Sequence, residues 1–267
     1  STADSLVSGS VIKGQLSSYS DLDYYKITAS SAGIVAVNFD GPTDSSWYEY
    51  FRISLMDSSG NILASQDTGG DASLNAAVGS AGDYYVLVQD DSAYSSAEYS
   101  LTATTTEGST SGIETESNNS RTTADSLVSG LAIKGQLSSY SDYDYYKITT
   151  SSAGIVAVNF DGPLNSSYNY FKISFTDSSG NILTSQDTGS DTSFSAAVGS
   201  AGDYYVLVQD STWHSSEEYS LSATATVSST SGMETESNNS RSTADDLVSG
   251  SAVKGQLSSY SDYDYYK

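Results

Sequence analysis

The sequence predicts an all-β protein made of small tandem domains, and three observations carry that prediction. Residues 3–9 (ADSLVSG) recur at 124–130 and, as ADDLVSG, at 244–250, a period of about 120 residues. That period is too long for one turn of a solenoid and fits one small domain. Within each period, short runs of alternating apolar and polar residues are separated by Gly, Asp, Asn and Ser clusters, the pattern of a β-sandwich or barrel. The 267 residues include only two prolines, yet no stretch has the apolar spacing of a long helix.

In the first repeat the strands are expected at 11–17, 23–29, 33–39, 50–56, 61–66, 73–78, 84–89 and 98–104, and the second repeat gives the same series. Successive side chains of a strand point oppositely. Val35, Val37 and Phe39 therefore share an inward face, as do Phe51, Ile53 and Leu55, and Tyr99, Leu101 and Ala103; Arg52 and Ser54 are expected on a wetter face. Asp57-Ser58-Ser59-Gly60-Asn61, repeated at 177–181, is a hairpin turn, since Asp, Gly and Asn accept turn geometry. The Ser/Thr/Gly-rich stretches read as linkers. The expected division is a domain at 1–105, a linker at 106–112, a domain at 113–226, a linker at 227–232 and the opening of a third repeat at 233–267. The chain starts without a leader or an initiating Met, as expected of a window cut from a longer array.

Composition narrows the function. The net charge is −23 and the pI about 4.1, which argues against nucleic acid and against an anionic membrane surface. No apolar run approaches the ~20 residues of a membrane span. Cysteine is absent, so neither disulfides nor thiolate chemistry enter; for an exported protein this points to a bacterial secreted or cell-surface location. Catalysis is not expected. The single histidine, His214, stands where the first repeat has Tyr94, and no acid, base and nucleophile set recurs.

Two segments are dense in oxygen ligands: Glu-Thr-Glu-Ser-Asn-Asn at 114–119 and 234–239, and Asp-x-Asp-Tyr-Tyr at 21–25, 142–146 and 262–266. Calcium takes six to eight oxygens, more than either segment holds, but together at one sandwich edge they would suffice. In an extended strand Glu114 and Glu116 project to one side, and so do Asp142 and Asp144. Aromatics are the other signal. Trp47, Tyr48 and Tyr168 lie between the third and fourth expected strands of their repeats, and Tyr94 and Trp213 precede the last strand. Such residues either stack on sugars or peptides or cap the ends of the sandwich.

The order Glu-x-Glu-x-Asn-Asn, Ala-Asp-x-Leu, Lys-Gly-Gln-Leu, Asp-x-Asp-Tyr-Tyr, Asp-Ser-Ser-Gly-Asn-Ile-Leu, Ala-Gly-Asp-Tyr-Tyr-Val-Leu-Val and Glu-Tyr-Ser-Leu resembles the bacterial pre-peptidase C-terminal domains, which include the collagen-binding domains of clostridial collagenases. The resemblance covers nearly all of both repeats. It implies secretion and tandem jelly-roll-like β-sandwiches of about eight strands. It also implies calcium held by Glu114, Glu116, Asn118, Asn119, Asp142 and Asp144, and in the third repeat by Glu234, Glu236, Asn238, Asn239, Asp262 and Asp264. The collagen-binding members carry Asp where this chain has Asn119. The first repeat keeps Asp21 and Asp23 without a Glu-x-Glu segment, so its site is expected to be incomplete.

The expected role is a calcium-stabilised stalk, fibre or adhesin region of a large bacterial surface protein, its partners being neighbouring repeats. The alternative is an accessory module that binds polysaccharide or a collagen-like protein beside a secreted hydrolase. The third-repeat piece at 233–267 is too short for its own core. It is expected to be held either on the second domain or by another copy of the chain in head-to-tail association.

Overall fold

The computed structural model describes residues 2–42, 49–230, 232–258 and 261–267, which divide into two compact units. The first unit comprises Ser1–Ser117 with Gln136–Ser139 and Ser216–Glu218; the second comprises Asn118–Gly135, Tyr140–Ser215 and Tyr219–Lys267.

The first unit holds nine strands: β1 (Asp4–Ser5), β2 (Val11–Gly14), β3 (Leu22–Ala29), β4 (Gly33–Asp40), β5 (Phe51–Met56), β6 (Ile62–Thr68), β7 (Ala72–Val78), β8 (Gly82–Asp90) and β9 (Tyr99–Glu107). They form a five-stranded sheet in the order β1-β3-β8-β5-β6 and a four-stranded sheet in the order β2-β9-β4-β7. Leaving out the short β1, consecutive strands from β2 to β9 alternate between sheets except at β5–β6. This is the two-Greek-key order of a jelly roll. The second unit repeats it with β10 (Asp125–Ser126), β11 (Ala132–Gly135), β12 (Tyr143–Thr150), β13 (Gly154–Asp161), β14 (Phe171–Thr176), β15 (Ile182–Thr188), β16 (Thr192–Val198), β17 (Gly202–Asp210) and β18 (Tyr219–Thr226). Its sheets run β10-β12-β17-β14-β15 and β11-β18-β13-β16.

The alternation places the core as expected. Val35, Val37, Phe39, Phe51, Ile53, Leu55, Tyr99, Leu101 and Ala103 are all buried, each 2% exposed or less. Phe39 packs on Phe51 with ring centroids 5.1 Å apart, and both reach Tyr99. The 57–61 turn forms as predicted. Asp57 Oδ1 accepts the backbone N–H of Ser59 (2.8 Å) and of Asn61 (2.9 Å), and Gly60 takes φ 86°.

Three details differ from the expectation. Ser54 is buried, because its hydroxyl pairs with that of Ser65 across the β5–β6 ladder at 2.9 Å and so loses no hydrogen bond. The second strand stops at Gly14 rather than at 17. A Cβ at Gly14 would collide with the hydroxyls of Tyr25 and Tyr99, and the next residue, Gln15, turns its amide to the carbonyl of Ser96. The short β1 and β10 are additional; each runs parallel to the Asp-x-Asp strand, Asp4 opposite Tyr25 and Asp125 opposite Tyr146.

The third-repeat piece forms no named strand. Isolated parallel bridges join Met233 to Lys254 and Asp245 to Tyr266. It is held on the second sandwich: Gln256 Nε2 donates to the Ser185 carbonyl (2.8 Å), and Gln256 Oε1 accepts from the Thr184 hydroxyl.

Candidate metal centre

The acidic leader of the third repeat is threaded between two other stretches of the same unit. Glu234 N donates to the Lys254 carbonyl (3.0 Å), and Lys254 N to the Gly232 carbonyl (2.9 Å). Further on, the Asn238 carbonyl accepts from Tyr265 N (3.3 Å). These backbone bonds lay 234–238 beside the strand-like residues that carry Asp264. The result is one carboxylate oxygen from each of Glu234, Glu236 and Asp264 lying within 4.8 Å of one another.

Each member is held by its surroundings. Glu234 is 9% exposed; its Oε1 accepts from Gln256 N and its Oε2 from the Tyr266 hydroxyl at 2.9 Å. Gly255 leaves room for this, since a Cβ there would run into Tyr266 Oη and Glu234 Oε2. Asn238 is fully buried, with its Nδ2 donating to Asp245 Oδ2 at 3.1 Å. That bond fixes the amide so that its oxygen is the uncommitted end. Glu236 Oε1, Asn238 Oδ1 and Asp264 Oδ1 are buried and have no hydrogen-bond partner. Among the described residues no cationic side chain pairs with Glu234, Glu236 or Asp264.

Burial, and then the neighbouring Asp262, push the Glu236 carboxyl up to about 7; Glu234 and Asp264 add to this and the Asn238 N–H opposes it. Glu234 is likewise raised, first by burial, with the Gln256 and Tyr266 hydrogen bonds acting against it. Like charges crowded away from water resist ionisation. A divalent cation among them would reverse that balance, and the three carboxylates form a hard oxygen set of the kind calcium takes. A cleft of about 220 Å³ opens alongside, lined by Glu234, Glu236, Gly255 and residues of β15 and β16. It gives an ion a way in.

The other two implied ligands serve the backbone. Asn239 Oδ1 accepts from Tyr263 N (2.7 Å), and Asp262 Oδ2 from both the N–H (2.7 Å) and the hydroxyl (2.8 Å) of Ser258. In the second repeat the same roles recur within each unit. In the first unit, Glu114 Oε1 accepts from Gln136 N (2.6 Å) and Glu116 is half-buried. In the second unit, Asn119 Oδ1 accepts from Tyr143 N (2.8 Å), Asp142 Oδ1 also accepts from Tyr143 N (3.0 Å), and Asn118 and Asp144 are fully buried.

Sequence reasoning missed the tyrosines that support this chemistry. Tyr146 and Tyr219 share a hydroxyl contact of 2.7 Å, and Tyr219 donates to Asp144 Oδ2 at 2.5 Å. Tyr25, Tyr99 and Asp23 do the same in the first repeat. Groups that orient ligands in this way matter nearly as much as the ligands themselves. The available signal was the recurrence of both tyrosines with the Asp pair.

A second acidic group, Glu49, Asp67 and Asp91, has a cation of its own. Arg52 reaches Asp67 through Nε (2.6 Å) and Nη2 (2.7 Å), and Asp91 through Nη2 (2.9 Å). Of the candidate aromatics, Trp47 and Tyr48 lie outside the described residues. Tyr94 is half-buried, donates to the Leu16 carbonyl (3.0 Å) and packs on Tyr19 at 4.7 Å. Tyr168 and Trp213 are 61% and 51% exposed and meet edge to face at 6.0 Å. His214 Nδ1 lies 3.0 Å from Asp210, and its ring packs tilted against Tyr140 with centroids 4.5 Å apart.

The chain matches no protein-family model and no curated protein. Among solved structures it is similar to the pre-peptidase C-terminal domain of a collagenase from Bacillus anthracis, at 22% identity over 38% of this chain and 94% of that one, with a TM-score of 0.29. It is also similar to the CBM22-1–CBM22-2 tandem domain of Paenibacillus barcinonensis Xyn10C, at 11% identity over 75% and 82% of the two chains (TM-score 0.26). A third likeness is to the M60 catalytic domain with CBM51-1 and CBM51-2 of Clostridium perfringens ZmpB, at 8% identity over 77% and 33% (TM-score 0.26). The β-sandwich assignment rests on this chain's own strand order. No helix among the described residues is long and apolar enough to cross a membrane.

Proposed function

We propose that this chain is a run of calcium-stabilised β-sandwich repeats, akin to pre-peptidase C-terminal domains, from a secreted or surface-anchored bacterial protein, and that it serves as a stalk, fibre or adhesin region rather than as an enzyme. Calcium would be held by Glu234, Glu236, Asp264 and the Asn238 amide oxygen. The preceding repeat carries the same residue types in sequence, at Glu114, Glu116, Asn118 and Asp144. The observation that carries this reading is the set of three buried, partnerless oxygens on Glu236, Asn238 and Asp264. Leaving such atoms unsatisfied costs ~1–3 kcal/mol each, more for a charged group, and a cation would recover that cost. Bound metal would also tie the 234–238 segment to the residues that carry Asp264.

Calorimetric titration with calcium, paired with melting curves in calcium and in chelator, tests the reading. Extracellular calcium modules bind at about 10⁻⁴–10⁻³ M, and calcium at ten times Kd adds about 1.4 kcal/mol by mass action. The chain is expected to bind calcium, and the Glu236→Gln, Asp264→Asn variant to bind one ion fewer. A melting midpoint indifferent to calcium would sink the proposal.

A second reading, a module that binds an extracellular polymer, is favoured by one observation: the Tyr168–Trp213 pair is exposed rather than buried as an end cap.

A further inference from the structure

We propose that the end of the second sandwich bearing Tyr168 and Trp213 is a binding site for a neutral polysaccharide, one sugar ring lying against the two aromatic rings. This rests on the second reading above and gives it a place and a ligand class.

The pair is built, not incidental. Trp213 N and Thr212 N both donate to the Asn169 carbonyl at 3.1 Å, and Ser211 N to the Tyr170 carbonyl at 2.9 Å. The loop before β18 is thus laced to the residues around Tyr168. On the other side, Tyr168 N donates to Ser166 Oγ (3.0 Å) and Ser166 N to the Gly189 carbonyl (3.0 Å). Gly189 permits that approach, since a Cβ there would collide with the Tyr168 carbonyl. The two rings, at an interplanar angle of 74°, form a corner carried on these laced backbone segments. Preorganisation of this kind lowers the ordering cost of binding, and Trp and Tyr bring large area with few rotatable bonds.

The chemistry around the corner selects the ligand. Asp187 accepts from Ser211 Oγ (2.7 Å), and Asp210 holds His214 from the same loop. With a net charge of −23, the chain disfavours anionic ligands. A neutral pyranose offers a C–H face to an aromatic ring, which matches the exposed Tyr168–Trp213 corner.

The first repeat supplies an independent argument. It has Ala93 where the second has Trp213, yet it places Trp47 between β4 and β5, next to Tyr48. In both sandwiches the connections after β4 (β13) and after β8 (β17) leave from one end, because Phe51 pairs with Asp90 and Phe171 with Asp210. In sequence, each repeat keeps a tryptophan in one of these two segments, Trp47 lying outside the described residues and Trp213 being 51% exposed.

The test is titration of the full chain with cellohexaose, chitohexaose and xylohexaose, followed by calorimetry and tryptophan fluorescence, with a triple-helical collagen-type peptide as the contrasting ligand. At least one hexasaccharide is expected to bind. In a Trp47→Ala background, Trp213→Ala and Tyr168→Ala should each weaken binding tenfold or more, and Trp213→Phe less. The melting curve and the calcium response should stay unchanged. Sugar binding that survives the Tyr168→Ala, Trp213→Ala double variant overturns this site and leaves the module reading standing. Binding of the collagen-type peptide without any sugar overturns the ligand class. Binding of neither ligand overturns both.

Discussion

Asp23 keeps in the first repeat the tyrosine contact that Asp144 makes in the second. Its carboxylate accepts from the Tyr99 hydroxyl at 2.6 Å, which in turn meets the Tyr25 hydroxyl at 2.7 Å. Burial raises its pKa above the usual 3.8, the Tyr99 bond opposes the rise, and Asp21 and Asp4 add to it. A group raised in this way contributes stability that is fully present below its unfolded value and lost as the pH climbs through its folded value. Asp23→Asn keeps an acceptor for Tyr99 and removes the charge. The variant should therefore melt higher than the parent at pH 7 and level with it near pH 3. Equal midpoints at both pH values would show that the carboxylate is fully accommodated.

At the scale of strands, close backbone approach decides more than side-chain pattern does. Gly154 opens β13, and a Cβ there would collide with the backbone carbonyl of Thr226 on β18. Gly199 follows β16, and a Cβ there would meet nothing within 4 Å. Gly154→Ala should cost about 1–3 kcal/mol, because backbone rather than a flexible side chain must move. Gly199→Ala should stay within about 0.5 kcal/mol of the parent in the same denaturant titration. Comparable losses at the two positions would remove the steric explanation. The strands themselves were legible from alternation, since each sandwich sheet has one dry face. The early stop at Gly14 and the added β1 and β10 were not, because tertiary contacts with distant tyrosines and strands set them.

Over the whole chain, the two units repeat one sandwich, and residues 233–267 depend on the second of them. They carry the Glu234, Glu236 and Asp264 group and are fastened through Gln256 to Thr184 and Ser185. A chain ending at Thr230 is expected to bind one calcium fewer. Its second sandwich should lose stability by no more than ~0.5–1.5 kcal/mol per hydrogen bond removed. Differential scanning calorimetry with and without calcium reads both effects, and unchanged calcium stoichiometry would place the ion elsewhere.

By itself the sequence determined the all-β class, the repeat, the turns, the inward faces and the acidic segments, because these follow from local period and composition. Glu234 and Glu236 lie two residues apart, but Asp264 is 28 residues beyond Glu236. Only the tertiary structure decided which of the six implied ligands converge. It brought Glu234, Glu236 and Asp264 together, turned the oxygen of Asn238 loose, and spent Asn239 and Asp262 on backbone N–H groups. It likewise decided that Tyr94 is tied to the Leu16 carbonyl while Tyr168 and Trp213 face solvent. The physical reason is the same in both cases. Spacing along the chain fixes what a residue can offer, whereas long-range strand pairing fixes what remains for it to bind.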